Sequence, residues 1–231
     1  MKLESLPKLV MFDLDGTLAD TVPQLHEAVL AALRKVGKNP ITIEQTRSYV
    51  GNGAMLLIAR AIARTQEVRL EDLDRDLLAV ARNEFNLVYS NCFDCSKSIY
   101  PKVLETLSYL KIKCVKLAVV SNKPNRFIVP ILEKAGLLKY FDETLGSEVI
   151  PETKPNAAPL IYVCQKIGVS TNDAVMVGDS YNDILAARNA SITSIGLTYG
   201  YNRGLDIRDS SPDYVFDDFC SVYNLFKSFD V

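Results

Sequence analysis

The sequence predicts an α/β protein with a Rossmann-like, doubly wound parallel sheet as its core and an inserted all-helical cap domain. Two patterns predict the core: short, continuously apolar runs that end at polar residues, and amphipathic helical segments that alternate with them. A third pattern predicts the insertion, because residues 19–94 carry apolar positions at helical spacing and no strand-like run. We therefore expect a discontinuous core, residues 1–18 and 95–231, and a helical cap between its two parts.

Five apolar runs are predicted to be strands. Uniformly apolar composition is typical of parallel strands, which are buried on both faces of a sheet. The runs are bounded by polar or turn-forming residues and cover Leu9–Phe12, Leu117–Val120, Ala174–Val177, Ile192–Leu197 and Tyr214–Phe216. The first three each lead into a helix-start signal, which favours strand–loop–helix units.

Helical periodicity predicts the remaining elements. An apolar stripe from Leu25 to Val36 predicts the first cap helix, and Thr42 with Gln45 has the spacing of a capping box that begins the second. The other predicted helices have apolar positions at a 3.6-residue period and cover Ala54–Ala63, Leu73–Val88, Val103–Leu110, Phe127–Ala135 and Ala157–Ile167.

Composition and charge narrow the function classes. Lys and Arg number 26 and Asp and Glu number 28, so the net charge of −2 is too balanced for a dedicated nucleic-acid binder. The amino terminus lacks the long apolar region of a secretory signal, and Ala54–Ala63 is too short to span a bilayer. We therefore expect a cytoplasmic protein, a monomer or weak homodimer, that binds a small molecule and neither nucleic acid nor membrane.

The five cysteines do not predict a metal or redox site. Cys92 and Cys95 form a C-x-x-C pair, but the sequence has no second pair, and its single histidine, His26, is remote. The pattern favours reduced, ordinary thiols.

Acidic residues follow the predicted strands at the points where those strands end. Asp13 and Asp15 follow the first run, and Asp179 and Asp183 follow the third. In an open parallel sheet, the ligand crevice lies beyond the carboxyl ends of the strands, so one pocket is expected to collect all four carboxylates. Carboxylates this close require a cation to stay ionised, and an all-oxygen site favours Mg²⁺ over zinc.

Hydrogen-bond donors near these carboxylates predict a phosphate site. Lys154 supplies a positive charge, Thr17 and Ser121 supply hydroxyls, and loop N–H groups add further donors. The chain has no Gly-rich phosphate loop of the G-x-x-x-x-G-K-[ST] type. Positioning and charge stabilisation suffice for phosphoryl transfer, and a carboxylate nucleophile can form an aspartyl phosphate on the way.

Four short motifs resemble those of the haloacid dehalogenase superfamily, in the same order. They are Asp13-Leu14-Asp15-Gly16-Thr17, Ser121-Asn122, Lys154-Pro155 and Gly178-Asp179-Ser180-Tyr181-Asn182-Asp183. The resemblance implies that Asp13 is the nucleophile and a metal ligand, and that Asp15 is the general acid and base and binds metal through its backbone carbonyl. By the same resemblance, Asp179 ligates the metal and Asp183 holds a metal-bound water.

The remaining motif residues are implied to hold the phosphoryl group. These are Thr17, Ser121, Asn122 and Lys154. Asp15 also separates branches of the superfamily, because an alkoxide leaving group needs a proton donor and a halide does not. The pattern therefore favours a phosphatase over a dehalogenase.

Substrate choice is expected to depend on the helical insertion, which resembles the mobile cap of this superfamily. Backbone N–H groups of the loop Gly51, Asn52 and Gly53 precede a helix and are candidates to receive the distal carboxylate of a small phosphorylated acid, with Arg47 assisting. This loop, together with the segment 178–202, resembles the phosphoglycolate phosphatase branch. The resemblance implies hydrolysis of 2-phosphoglycolate to glycolate and phosphate.

Three alternatives stay open at this point. The same scaffold serves phosphatases of other small phosphate esters, and it serves sugar phosphomutases of the β-phosphoglucomutase type, whose product stays phosphorylated. A signalling receiver domain also gathers aspartates and a lysine at strand ends, but it has no need of a helical lid beside its acceptor carboxylate.

Overall fold

The computed structural model describes residues 3–230, and its centre is a six-stranded, fully parallel sheet. The strands follow one another along the chain as β1 Leu9–Phe12, β2 Lys116–Pro124, β3 Glu143–Ser147, β4 Ala174–Gly178, β5 Thr193–Leu197 and β6 Tyr214–Phe216. Their order across the sheet is β3-β2-β1-β4-β5-β6. The predicted α/β fold with a doubly wound parallel sheet is confirmed.

Nine α-helices lie within the described residues. They are α1 Val22–Lys35, α2 Ile43–Tyr49, α3 Ala54–Ala63, α4 Arg75–Tyr89, α5 Val103–Ile112, α6 Asn125–Lys134, α7 Ala158–Ile167, α8 Tyr181–Asn189 and α9 Phe219–Lys227. None of the helices between residues 3 and 230 combines the length and apolar character needed to cross a membrane.

Strand alternation builds two hydrophobic layers, one on each face of the sheet. In β1, Val10 and Phe12 join the layer that includes α5, α6 and α9, whereas Leu9 and Met11 join the layer that includes α7 and α8. All four side chains are fully buried. Because successive side chains of a strand point to opposite faces, a strand covered by helices on both sides must be apolar at every position.

The four helices α1 to α4 occupy the chain between β1 and α5 and pack on one another. The stripe on α1 buries Leu25, Val29 and Leu33 among others, as its spacing predicts. At the start of α2, Thr42 Oγ1 accepts from the Gln45 N–H and the Gln45 side chain accepts from the Thr42 N–H, which is the predicted capping box. The division into core and cap at residues 18 and 95 stays a prediction.

Two strand assignments differ from the sequence prediction by more than one residue at an end. The sequence prediction does not include β3, because only Leu145 and Gly146 of this edge strand are buried and the strand lacks a continuous apolar run. β2 continues to Pro124, beyond the predicted end at Val120, and its pairing with β3 shifts register between these two residues. Such irregularities in a strand re-aim its side chains, and this one lies beside the candidate site.

The sheet order positions the site. β1 lies between β2 and β4, and the chain leaves these three neighbours at the same edge of the sheet. The strand order reverses direction at this point, which is where ligands bind in open α/β sheets.

Candidate active site

Three aspartates form an acidic cluster at the carboxyl ends of β1 and β4. Each of Asp13, Asp179 and Asp183 offers a carboxylate oxygen, and these oxygens lie within 4.8 Å of one another. Asp13 follows β1, Asp179 follows β4, and Asp183 lies in the first turn of α8. The cluster supplies only oxygen ligands, the type that hard divalent cations prefer.

Burial and mutual repulsion disfavour full ionisation of this cluster. Burial raises the pKa of Asp13 to about 6, with Asp183 and Asp15 adding to the rise and Lys154 opposing it. Burial, followed by the charges of Asp183 and Asp13, raises the pKa of Asp179 well above its ordinary value. A site that resists holding its own negative charges is suited to a cation that would neutralise them.

Lys154 is the positive partner of the cluster. Its Nζ lies 2.6 Å from Asp183 Oδ1, 3.3 Å from Asp13 Oδ1 and 2.5 Å from the Val120 carbonyl oxygen. The side chain is 2% exposed. Although burial alone lowers the pKa of Lys154, the adjacent Asp13 and Asp183 raise it above its ordinary value, so the ammonium stays charged.

The start of α8 fixes the orientation of Asp183. Asp183 Oδ2 accepts hydrogen bonds from the Ser180 N–H at 3.0 Å and from the Ser180 hydroxyl at 2.8 Å. Both oxygens of this fully buried carboxylate therefore have partners, one on Lys154 and one on Ser180.

The Asp15 side chain lies outside the acidic cluster but lines the same pocket. Its Oδ2 is 3.0 Å from Lys123 Nζ, and its Oδ1 accepts from the Thr21 hydroxyl at 2.5 Å. Lys123 and Thr21 hold this carboxylate apart from the metal candidates, at a position compatible with the predicted acid–base role.

Two predicted phosphate-binding side chains have other partners. The Thr17 hydroxyl donates to Asp179 Oδ1 at 2.6 Å, so it orients an acidic residue. The Asn122 amide joins the backbone of Lys154 through two hydrogen bonds, of 2.8 and 2.9 Å. Ser121 and Asn122 both line the pocket, and Ser121 also hydrogen-bonds to Asp13, which lowers the pKa of that carboxyl.

The loop 198–202, for which the sequence suggests no physical role, contacts Asp179 and fixes the position of its side chain. The Tyr201 N–H donates to Asp179 Oδ2 at 2.6 Å, and the Tyr199 hydroxyl donates to the Thr17 carbonyl at 2.9 Å. A methyl group on Gly200 would overlap the Asp179 carboxylate. The loop can pass this close only because residue 200 has no side chain.

The pocket above these residues has a volume of about 650 Å³, including space open to solvent. We call the acidic cluster and its lysine, that is Asp13, Asp179, Lys154 and the adjoining Asp183, the floor. Four large apolar residues from α1, α3, α4 and the end of α2 also line the pocket, and we call them the roof: Leu25, Val50, Leu57 and Phe85. The core adds Phe127 to the apolar wall.

The Gly51–Gly53 loop lies at the pocket edge, as the sequence suggests. Gly51 and Gly53 line the pocket and both have φ in the left-handed region, at 131° and 83°. Asn52 points elsewhere: its Oδ1 accepts from the buried Arg60 at 3.0 Å. Gly51 is held from the core side, because its carbonyl accepts from Asn182 at 3.0 Å.

Arg47, the predicted assistant in substrate binding, does not line this pocket. Its Nη2 donates to Asp20 Oδ2 at 3.0 Å, and its guanidinium lies 5.1 Å from the centre of the Tyr201 ring. Burial would raise the pKa of Asp20, but hydrogen bonds from the Tyr201 hydroxyl and Arg47 outweigh it and lower that pKa. These contacts give Arg47 a structural role, in which it links α2 to Asp20 and to the loop 198–202.

Lys123 and Tyr89 are pocket residues that the sequence interpretation missed. Lys123 Nζ donates to the Tyr89 hydroxyl at 2.6 Å and lies 3.0 Å from Asp15. One available signal was strand alternation, because Lys123 comes two residues after Ser121 and is therefore expected on the same side. No comparable signal marks Tyr89, which lies at the end of α4.

Comparisons with known proteins agree with this geometry. A family model described as haloacid dehalogenase-like hydrolase matches residues 10–197. A protein from Vibrio parahaemolyticus named phosphoglycolate phosphatase is 45% identical, over 91% of this chain and 92% of that protein. One of the same name from Psychrobacter arcticus is 43% identical, over 93% and 94%. A crystal structure of a predicted phosphoglycolate phosphatase from Haemophilus somnus has a TM-score of 0.87 and 37% identity, and covers 96% of this chain and 99% of that one.

Proposed function

The chain belongs to the haloacid dehalogenase-like hydrolase family, and from this membership we propose that it is a Mg²⁺-dependent phosphatase that hydrolyses 2-phosphoglycolate to glycolate and phosphate. The cluster of the half-buried Asp13 with the buried Asp179 and Asp183, beside Lys154, carries the proposal. The substrate is supported by relatives at 43% and 45% identity that bear the name phosphoglycolate phosphatase.

Mg²⁺ fits both the donors and the charge of the pocket. Four carboxylates, those of Asp13, Asp15, Asp179 and Asp183, meet two ammonium groups there, so a deficit of two positive charges remains when all are ionised. One divalent cation would balance it. We propose that Asp13 and Asp179 bind the ion directly, the Asp15 backbone carbonyl adds a ligand, and Asp183 holds a bound water. The ion would stabilise negative charge on the phosphoryl oxygens.

Asp13 is the proposed nucleophile. The Leu14 N–H donates to its Oδ1 at 2.7 Å and Lys154 Nζ lies 3.3 Å from the same oxygen, so the carboxylate has a fixed orientation. Attack by Asp13 on phosphorus forms an aspartyl phosphate and breaks the bond between phosphorus and the glycolate oxygen. Water then hydrolyses the acyl phosphate and restores the carboxylate.

Asp15 is the proposed general acid and base. In its protonated form it gives a proton to the departing glycolate oxygen, and as a carboxylate it takes a proton from the attacking water. Thr21 and Lys123 hold the side chain beside the pocket during both steps. Asp13 cannot do this work, because it is the group that becomes phosphorylated.

Residues 19–94 are proposed to act as a cap over the site. The roof residues come from this segment and present carbon atoms to the pocket. An apolar roof excludes water and strengthens electrostatic interactions on the floor. It also offers few partners for the hydroxyl groups of a sugar, which favours a small phosphorylated acid over the substrate of a sugar phosphomutase.

A phosphate-release assay across small esters tests the proposal. We expect the fastest release from 2-phosphoglycolate, slower release from a hexose phosphate and an aryl phosphate, and loss of all activity on chelation with recovery on adding Mg²⁺. Rearrangement of a hexose phosphate without free phosphate would instead identify a mutase. Full activity in the presence of a chelator would contradict the metal assignment.

A further inference from the structure

Lys123 is a buried cation inside the pocket for which the chemistry described so far has only a supporting use. Its side chain is 5% exposed, and it lines the pocket. Its Nζ lies 3.0 Å from the Asp15 carboxylate and donates to the Tyr89 hydroxyl at 2.6 Å, which is the environment of an ammonium ion. Holding a charge in such a place is costly unless the charge has partners.

The other cations near the site are already engaged. Lys154 makes three contacts on the floor, with Asp13, Asp183 and the Val120 carbonyl. Arg47 lies outside the pocket in its pair with Asp20. Among the described residues, Lys123 is therefore the pocket-lining cation that remains to meet a second negative charge of a substrate.

Tyr89 holds Lys123 in this place. Its hydroxyl accepts from Lys123 Nζ, and its ring packs edge-on against Phe127 and stacks on Phe85, with ring centres 5.2 and 5.4 Å apart. Because Tyr89 belongs to the last turn of α4, a cap residue positions a core cation. An ammonium group offers three donors, so the contacts to Asp15 and Tyr89 leave one for a ligand.

The chemistry of the substrate explains why a cation is needed at this position. In 2-phosphoglycolate, a single methylene carbon separates the bridging oxygen from the carboxylate. The acid that protonates the bridging oxygen is Asp15, and Lys123 Nζ lies 3.0 Å from it. Because the carboxylate of 2-phosphoglycolate lies so close to the bridging oxygen, it falls within reach of Lys123, which lies beside Asp15. In a longer ester the carboxylate would lie farther from the bridging oxygen and beyond the reach of Lys123.

We propose that Lys123 is the specificity-determining residue that pairs with the carboxylate of the phosphorylated acid, and that Tyr89 positions it. This inference rests on the proposed function. It replaces Arg47 as the cationic contact and makes the pocket selective for an anion next to the scissile bond. Recognition by a charged hydrogen bond in a site closed by an apolar roof is strong because competing water is excluded.

Two esters of matched length separate this role from mere support of Asp15. One is 2-phosphoglycolate, and the other is 2-hydroxyethyl phosphate, in which a neutral hydroxymethyl group replaces the carboxylate. In Lys123→Met we expect kcat/KM for 2-phosphoglycolate to fall about 10- to 100-fold more than for the hydroxyethyl ester, with most of the difference in KM. Lys123→Arg, which keeps the charge, should keep most of the preference.

Controls make the outcomes distinct. Lys134→Met removes an exposed lysine at the end of α6 and should leave both substrates unaffected. Turnover of the hydroxyethyl ester by the same preparation shows that the variant is folded, and Lys123→Gln replaces Lys123→Met if the latter is insoluble. Equal losses on both esters would overturn the specificity role and leave Lys123 as a support for Asp15. A wild-type enzyme with no preference for 2-phosphoglycolate would overturn the substrate assignment instead.

Discussion

The floor and the roof of the pocket are built in opposite ways. Floor residues are charged, buried or half-buried, and held by short hydrogen bonds, as in the contact of Lys154 with Asp183 and the bond that Asp179 accepts from Thr17. Roof residues such as Leu25 and Leu57 meet the pocket through packing alone. The floor comes from the segments that follow β1, β3 and β4, and the roof comes from the helical segment between β1 and α5.

This difference separates two tasks within one pocket. A small displacement of the floor disturbs several charges at once, because each carboxylate there has defined partners. A change in the roof alters shape and water access without touching a reacting atom. We therefore expect floor variants to lose chemistry on every ester, and roof variants to change the ranking of esters.

The largest effect is expected from Gly200→Ala. The added methyl group overlaps the Asp179 carboxylate and displaces it from the floor. We expect Mg²⁺ affinity to fall about 10- to 100-fold and hydrolysis of all esters to fall with it, since outer contacts of a metal ligand have effects of this size. Calorimetric titration with Mg²⁺ measures the affinity directly.

Thr198→Ala is the matched control in the same loop. It removes only the hydrogen bond from the Thr198 hydroxyl to the exposed Asp217 and should bind Mg²⁺ like the wild type. Unchanged Mg²⁺ affinity in Gly200→Ala would show that the loop does not set the position of Asp179.

A smaller effect is expected from pH. Burial raises the pKa of Asp13 to about 6, so this carboxyl is protonated below that pH and must release its proton before a cation can bind. We expect Mg²⁺ affinity to fall at least about tenfold for each pH unit below 6, because Asp179, whose pKa is also raised, must lose its proton as well. Titrations at several pH values measure the slope, and an affinity that stays constant from pH 5 to pH 8 would contradict the assignment of Asp13 as a ligand.

The smallest effect on chemistry is expected from Leu57→Ala in the roof. The variant opens a cavity beside the pocket, so hydrolysis of 2-phosphoglycolate should fall only a few-fold, while a bulkier acid such as 3-phosphoglycerate gains in relative rate. The free energy of unfolding should fall by about 2–4 kcal/mol, because Leu57 is 3% exposed.

The exposed Leu87 of α4 provides the control for this roof variant. Leu87→Ala should change neither the free energy of unfolding nor the ranking of the two acids, because its side chain is 63% exposed. A Leu57→Ala variant that loses activity equally on both acids would remove the roof from substrate selection.

Most of the fold can be predicted from the sequence, because a strand buried on both faces of a sheet must be apolar at every position. The runs that become β1 and β4 are apolar at every position, and α3 has the predicted bounds Ala54–Ala63. The sequence does not predict β3, because an edge strand needs fewer apolar residues. Glu143 and Thr144 of this strand are only partly buried.

The sequence predicts only those site residues whose positions are determined by the ends of the strands. Asp13 and Asp179 meet because β1 and β4 are neighbours, a consequence of topology. The sequence does not predict side-chain partners that are remote from one another along the chain. Arg47 pairs with Asp20, and Thr17 donates a hydrogen bond to Asp179, 162 residues away. Those choices depend on the final packing of cap and loops, which no local pattern encodes.

Direct observation of the covalent step would test the proposed mechanism most sharply. The enzyme is mixed with 2-phosphoglycolate and Mg²⁺, quenched in acid within a turnover, and analysed by mass spectrometry after proteolysis. A phosphoryl group on Asp13, absent from folded Asp13→Asn, is the expected result. A phosphoryl group on another residue, or hydrolysis by Asp13→Asn at the wild-type rate, would contradict Asp13 as the nucleophile.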